Sequence, residues 1–184
     1  MNATATASSG HRYGGVAIAF HWLLALMIIV SFSVGWYMSD LPMSPTRLKL
    51  FNWHKWAGVT ILALSGVRLL WRLTHHPPEE APGPRWQQQA ARWTHYALYA
   101  LFFAVPLSGW AYSSAAGFPI VWFGVLQLPD FVPRDKALAE VLKQLHHVLA
   151  WGLGTLVLLH IAAACKHHFV DRDGLLHRMV PLPR

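Results

Sequence analysis

Charge is scarce in this sequence, and negative charge is scarcest of all. Eight Asp and Glu stand against 15 Lys and Arg, and only 12% of the 184 residues are charged while 54% are hydrophobic. A water-soluble domain carries roughly 25% charged residues, so a soluble globular class is excluded and lipid becomes the expected solvent. Cysteine is almost missing too. With Cys165 alone, an internal disulfide is excluded, and so is covalent attachment of a prosthetic group through a Cys-x-x-Cys-His motif. Cys165 itself is expected to pack as a small residue near the inner end of the last helix. The opening segment MNATATASSG lacks the basic n-region of a secretory signal, so the apolar run behind it is expected to be retained as a first helix. No internal repeat is present, and no low-complexity segment beyond that short arm.

What is abundant is apolar sequence, in four runs of roughly the 20 residues that a bilayer core requires: about 15–38, 52–73, 91–113 and 140–169. The stretches between them, SDLPMSPTRLKLF, THHPPEEAPGPRWQQQ and AAGFPIVWFGVLQLPDFVPRDKA, are punctuated by the Pro and Gly that break helices. The expected fold is therefore all-α, a single domain over 1–184 built as an integral-membrane four-helix bundle. Lys and Arg set its orientation. With the N-terminus in the cytoplasm, nine of them (Arg12, Arg68, Arg72, Arg85, Arg92, Lys166, Arg172, Arg178 and Arg184) lie inside, and six (Arg47, Lys49, Lys55, Arg134, Lys136 and Lys143) lie outside. That bias places both termini in the cytoplasm. Trp22, Trp36, Trp53, Trp71, Trp93 and Trp110 fall near span ends, where they form an aromatic belt or pack the bundle.

Twelve histidines are many for this length, and ionisable residues inside a membrane are costly enough to mark function. His11, His75, His76, His167, His168 and His177 fall in tails, loops or helix ends and are expected to meet solvent or headgroups. His21, His54, His95, His146, His147 and His160 remain. His146 and His160 are separated by about four turns less 40°, a rise of about 21 Å, so one face of the fourth helix carries a histidine in each leaflet. His147 is turned roughly 140° from His160 and is assigned to the helix end. On the second helix, His54 opens a face that continues through Ala57, Gly58, Ile61 and Ser65 to Arg68. Small residues there let helices or a flat cofactor approach. His21 lies early in the first helix, with Ala25, Ile28, Phe32 and Gly35 continuing its face. Depth pairs His54 with His146 near the outer surface and His21 with His160 near the inner one; depth alone does not reject His95 as a partner of His160.

Two converging imidazole pairs with no carboxylate near mid-membrane suit an iron held at two axial positions of a macrocycle. Zinc ordinarily asks for four ligands, and a zinc transporter adds carboxylates; here Asp40, Glu79, Glu80, Asp130, Asp135, Glu140, Asp171 and Asp173 all fall at loops, tails or helix ends. The remaining alternative is that the histidines are interhelical glue, bonding carbonyls or one another.

In the order and spacing of AFHWLLAL, NWHKWAGVTILALSGVRLLWR, YALYALFFAVPLSGW and LHHVLAWGLGTLVLLHIAAACKHHF, nearly the whole chain resembles the bacterial cytochrome b561 family, small four-helix inner-membrane proteins with two b-type haems. The resemblance implies His21, His54, His146 and His160 as axial haem ligands and sets Arg68 at a position well placed for a haem propionate, an anion that an arginine at that depth needs. It prefers His21 over His95, leaving His95 beside the inner haem or at the headgroups. Two imidazoles on one iron leave no position for oxygen to bind, so electron transfer is the expected chemistry, with quinone as the membrane-soluble partner. Two functions are compatible with it. The chain resembles the superoxide-oxidising members, which implies a superoxide:ubiquinone oxidoreductase; the alternative is a wire that couples a separate dehydrogenase or periplasmic partner to the quinone pool. In RLKLFNWHK, the bases Arg47, Lys49 and Lys55 flank His54 with no acid among them; they are expected to steer an anion toward the outer haem, or else to snorkel at a helix start.

Overall fold

The computed structural model describes residues 12–75, 78 and 83–180. His11, His76, Glu79, Glu80 and Arg184 therefore lie outside the described residues. The chain folds as four long helices, α1 (Gly15–Ser39), α2 (Pro45–Thr74), α3 (Arg85–Ala115) and α4 (Lys136–Lys166), and α4 runs on into a π-helical turn, His167–Asp171. A two-stranded hairpin, β1 (Val121–Trp122) and β2 (Leu126–Gln127), lies between α3 and α4.

Three helices begin earlier than the apolar runs that announce them. Ser44 caps α2 by accepting the Arg47 amide at 3.2 Å, with Pro45 in the first turn, and Asp135 caps α4 by accepting the Leu138 amide at 2.8 Å. Such caps start a helix whatever the hydropathy of its first turns, whereas an apolar run marks only the portion that lipid covers. Among the described residues, Gly15–Ser39, Pro45–Thr74 and Lys136–Asp171 are long and apolar enough to cross a membrane. α3 is as long but more polar, with Gln87, Gln88, Gln89 and Arg92 in its first turns and Ser108, Ser113 and Ser114 near its end. It does not qualify on composition, contrary to the expectation of four such spans.

The helices pack in chain order, α1 on α2, α2 on α3 and α3 on α4, while α1 and α4 approach each other least closely of the neighbouring pairs. Leu24, Ile28, Ile61, Leu98, Phe102 and Leu153 form the core. Leu26, Val30, Leu70, Leu158 and Leu159 point outward; with lipid outside, helices need no polar face. Cys165 is exposed rather than packed.

The hairpin occupies a stretch expected only as loop. It turns at Phe123 (φ 50°) and Gly124 (φ 74°), closed by the Val125 amide on the Trp122 carbonyl at 3.1 Å, the left-handed pair that a tight two-residue turn demands. Trp56 Nε1 donates to the Val121 carbonyl at 2.6 Å, and Trp122 Nε1 donates to Thr60 Oγ1 at 3.2 Å. These bonds hold the hairpin against α2 at the end of the bundle opposite the N-terminus, named the outer end for its place in the bundle, as the opposite end is named the inner.

Leu24 is 0% exposed at the centre of the core. Leu24→Ala should destabilise the bundle by about 2–5 kcal/mol, seen as a lower midpoint when near-UV circular dichroism follows thermal unfolding in detergent. An unchanged midpoint would show that the contacts around Leu24 do not support the fold.

Candidate functional site

At the outer end, His54 of α2 and His146 of α4 face each other with ring centroids 6.1 Å apart and planes at 83°. Each ring is held from behind by a neighbouring helix. His54 Nδ1 donates to the Ser31 carbonyl of α1 at 3.0 Å and lies 3.2 Å from Ser31 Oγ. His146 Nδ1 donates to the Val105 carbonyl of α3 at 3.0 Å and lies 3.2 Å from Ser108 Oγ. A carbonyl only accepts, so the proton is on Nδ1 and Nε2 keeps its lone pair.

Glycine makes these approaches possible. A Cβ on Gly35 would lie 3.0 Å from His54 Cε1, and one on Gly109 would lie 3.0 Å from His146 Cε1. Both rings line an open cavity whose wall includes Phe51, Val59, Leu62, Pro106 and Gly58. At Gly58 a side chain would meet nothing within 4 Å, so the wall is left open there. Two imidazoles that share one metal through nitrogens at about 2 Å each have ring centres roughly 6 Å apart, which is the spacing found. The donor set and the apolar slot therefore fit a haem, and they lack the carboxylates of a zinc site.

The inner cluster is arranged differently. His160 lies 6.3 Å from His21 and 5.6 Å from His95, ring centre to ring centre, at 67° and 66°. The structure thus brings His21, His95 and His160 together without choosing between the first two. Arg68 is there as well: its Nη2 lies 3.3 Å from His21 Nδ1, and its guanidinium sits 5.5 Å from the centre of the Tyr99 ring. Arginine only donates, so His21 accepts at Nδ1 and carries its proton on Nε2, the reverse of the outer pair. One turn before Arg68, Ser65 is fully buried and its hydroxyl has no hydrogen-bond partner among the described residues.

His147 is not at a helix end. It sits well inside α4, outside both pairs, and accepts from Trp151 Nε1 at 3.0 Å. The residues that fix the outer ligands from behind, Ser31, Gly35, Ser108 and Gly109, are not recognisable as a site in the sequence, although small residues one turn apart on α1 and side by side on α3 are the available signal. Gly35, which helical spacing puts on the face of His21, serves His54 instead.

The basic residues of the outer end divide into three kinds. Lys55 is half-buried, lines the outer cavity and donates to the Phe118 carbonyl at 3.2 Å, while Arg47 lies over Phe51 at 5.4 Å and donates to the Ser39 carbonyl at 3.3 Å. Arg134 and Lys143 pair with Asp130 at 4.0 Å and Glu140 at 3.3 Å. Lys49 and Lys136 are exposed, with no ion pair among the described residues. At the other end, His167, Asp171 and Asp173 bring ligand atoms within 4.8 Å of one another, but Lys166 Nζ already meets Asp171 at 2.6 Å. This group closes the end of α4 as an ion-pair network.

A family model for prokaryotic cytochrome b561 matches residues 12–182. The chain is 37% identical to cytochrome b561 homolog 2 of Escherichia coli (strain K12) over 171 residues, 92% of this chain and 91% of that one. It is 29% identical to cytochrome b561 homolog 1 of the same organism, covering 93% and 98% of the two chains. With the probable superoxide oxidase CybB of Yersinia pestis it shares 31% identity, over 94% of this chain and 98% of that one.

If the glycine at the back of each ring is what admits it, Gly109→Val should lower b-haem content as far as His146→Ala does. Gly66→Ala, whose Cβ would meet nothing within 4 Å, should leave it unchanged. Pyridine haemochrome assay of the purified variants decides, and full haem in Gly109→Val would contradict the packing argument.

Proposed function

Because the chain belongs to the prokaryotic cytochrome b561 family, a family of haem-b electron-transfer proteins of the bacterial inner membrane, we propose that it is a two-haem superoxide:ubiquinone oxidoreductase. One haem is held by His54 and His146 near the outer surface, the other by His21 and His160 near the inner one, with both termini in the cytoplasm. The observation that carries the reading is the outer pair: opposed imidazoles, both Nδ1 atoms tied to carbonyls, Nε2 lone pairs free, and ring centres 6.1 Å apart. A haem there would be held by His54 and His146 and would supply one-electron transfer.

The residues of this chain do the rest. The carbonyls of Ser31 and Val105 fix the tautomer and the orientation of the outer ligands, as partners behind metal-bound histidines generally do. At the inner site, binding through His21 Nε2 requires the proton to move to Nδ1, so Arg68 must leave that nitrogen for another acceptor. A haem propionate provides one, and it answers the need of a guanidinium at this depth for an anion. Lys49 and Lys136 draw superoxide to the outer face; Lys55 and Arg47, engaged with carbonyls, shape the cavity mouth. In the overall reaction, two superoxide ions each lose one electron and leave as oxygen, and ubiquinone takes both electrons with two protons to become ubiquinol. The likeness to a probable superoxide oxidase favours this donor.

Purified protein supplied with ubiquinone should consume superoxide catalytically. Haem that is reduced without turnover would instead mark a wire serving a separate dehydrogenase or periplasmic partner. The ligand assignment is tested by haem content: His21→Ala and His160→Ala should each lose the inner haem and His95→Ala should keep it, whereas loss in His95→Ala with retention in His21→Ala would exchange their roles.

Attraction by exposed charge can raise encounter rates by about 10–10³ and fades with salt. Lys49→Glu with Lys136→Glu should therefore slow superoxide-driven haem reduction at low ionic strength, with a deficit that narrows as salt rises and with haem content intact. Pulse-radiolysis rates insensitive to both charge reversal and salt would remove steering from the account.

A further inference from the structure

Of the neighbouring helix pairs, α1 and α4 are the most loosely packed. They touch where Phe32 lies over Gly154, whose Cβ would come 3.0 Å from Phe32 Cε2. From that point toward the outer surface the seam is aromatic. Trp151 meets Phe32 edge-on at 5.3 Å and Trp36 at 6.2 Å. Trp36 is 62% and Trp151 45% exposed, so the seam opens sideways to lipid.

A tryptophan in the interfacial belt ordinarily keeps its N–H for headgroups or water. Trp151 instead donates its N–H to His147 Nε2 at 3.0 Å. That bond fixes the proton of His147 on Nδ1, and this N–H has no partner among the described residues. The result is a neutral hydrogen-bond donor among indole faces, open to the bilayer, on the residue next to the iron-ligand candidate His146. Lys143, one turn before His147 on α4, is paired with Glu140 at 3.3 Å, which disfavours a lipid phosphate. A flat neutral ring with carbonyl acceptors and an apolar tail matches it.

We propose that the outer half of the α1–α4 seam is the ubiquinone headgroup site: the ring packs on Trp36 and Trp151, a carbonyl accepts from His147 Nδ1–H, and the isoprenoid tail extends into lipid. The site rests on the quinone-reducing reading above. It places quinone beside the outer histidine pair, so that donor and acceptor are served from the same half of the bundle. It also gives His147 a role separate from ligation.

Equilibrium binding of decylubiquinone to the oxidised haem-loaded protein in detergent, read by ultrafiltration, tests the site directly. His147→Leu, Trp151→Leu and Trp36→Leu should each weaken binding by at least about tenfold, a loss of about 1.4 kcal/mol or more, and His147→Gln should recover part of it. Haem content and superoxide-driven haem reduction should not change. Trp36 is on the other helix and neither offers a ligand atom nor holds a ligand ring from behind, so Trp36→Leu retains a folded comparison even if a substitution on α4 disturbs His146. Parental binding in a haem-replete Trp36→Leu or His147→Leu would overturn this site and leave the quinone reading standing. A parent protein that binds no decylubiquinone would overturn both.

Discussion

The hydrogen bonds from His54 Nδ1 to the Ser31 carbonyl and from His146 Nδ1 to the Val105 carbonyl are the contacts on which the rest of the outer half depends. An imidazole in a bilayer needs a partner for its N–H, because lipid offers none. The helix backbone supplies one without giving up its own ladder, since each carbonyl has two lone pairs. Reaching that second lone pair requires the ring to lie against the backbone. Gly35 and Gly109 each sit one turn beyond the accepting carbonyl, where a Cβ would obstruct the ring. The same device thus joins α1 to α2 and α3 to α4, and it aims both lone pairs at one cavity.

The inner site shows what happens without that device. No carbonyl fixes His21; a guanidinium does, and it selects the opposite tautomer. His95 stands as close to His160 as His21 does. Three imidazoles, one arginine and the buried hydroxyl of Ser65 make a polar cluster whose hydrogen bonds are only partly satisfied within the protein. Such a cluster is costly in an apolar bundle, and an anionic, planar partner would offset the cost by accepting from Arg68. On the proposed two-haem reading, the outer site would be shaped before its cofactor arrives and the inner site completed by it.

This difference also explains how much of the molecule is legible in its sequence. Helix positions and the histidine set can be read because both come from periodicity and depth: the 14-residue separation of His146 and His160 survives any detail of packing. The helix starts at Pro45 and Lys136 escape a hydropathy reading because caps act outside the apolar runs, while α3 starts at Arg85 without a side-chain cap and is more polar than the run at 91–113 suggests. The hairpin is hidden because its turn relies on Phe123 at positive φ, a residue that gives no turn signal. Ser31, Gly35, Ser108 and Gly109 are illegible for a deeper reason: each matters only through a ring donated by another helix. His147 is passed over when its angle to His160 is the criterion, although the seam it faces belongs to α1.

The scarcity of acids has its consequence here. At the outer end four acids, Asp40, Asp130, Asp135 and Glu140, stand against six bases; Asp130 and Glu140 pair with Arg134 and Lys143, and the excess of bases keeps the surface positive. The histidines beneath carry no neighbouring carboxylate to hold them charged, so the cavity between them stays apolar. Apart from Lys55, which lines the cavity, the charges therefore stay at the rim. Screening by salt acts on the rim over a Debye length of about 10 Å at 0.1 M, while the pair of imidazoles, held by uncharged carbonyls, keeps its geometry. If the proposed reaction holds, an anion would thus be drawn toward the protein mainly by charge that lies outside the apolar slot between the two imidazoles.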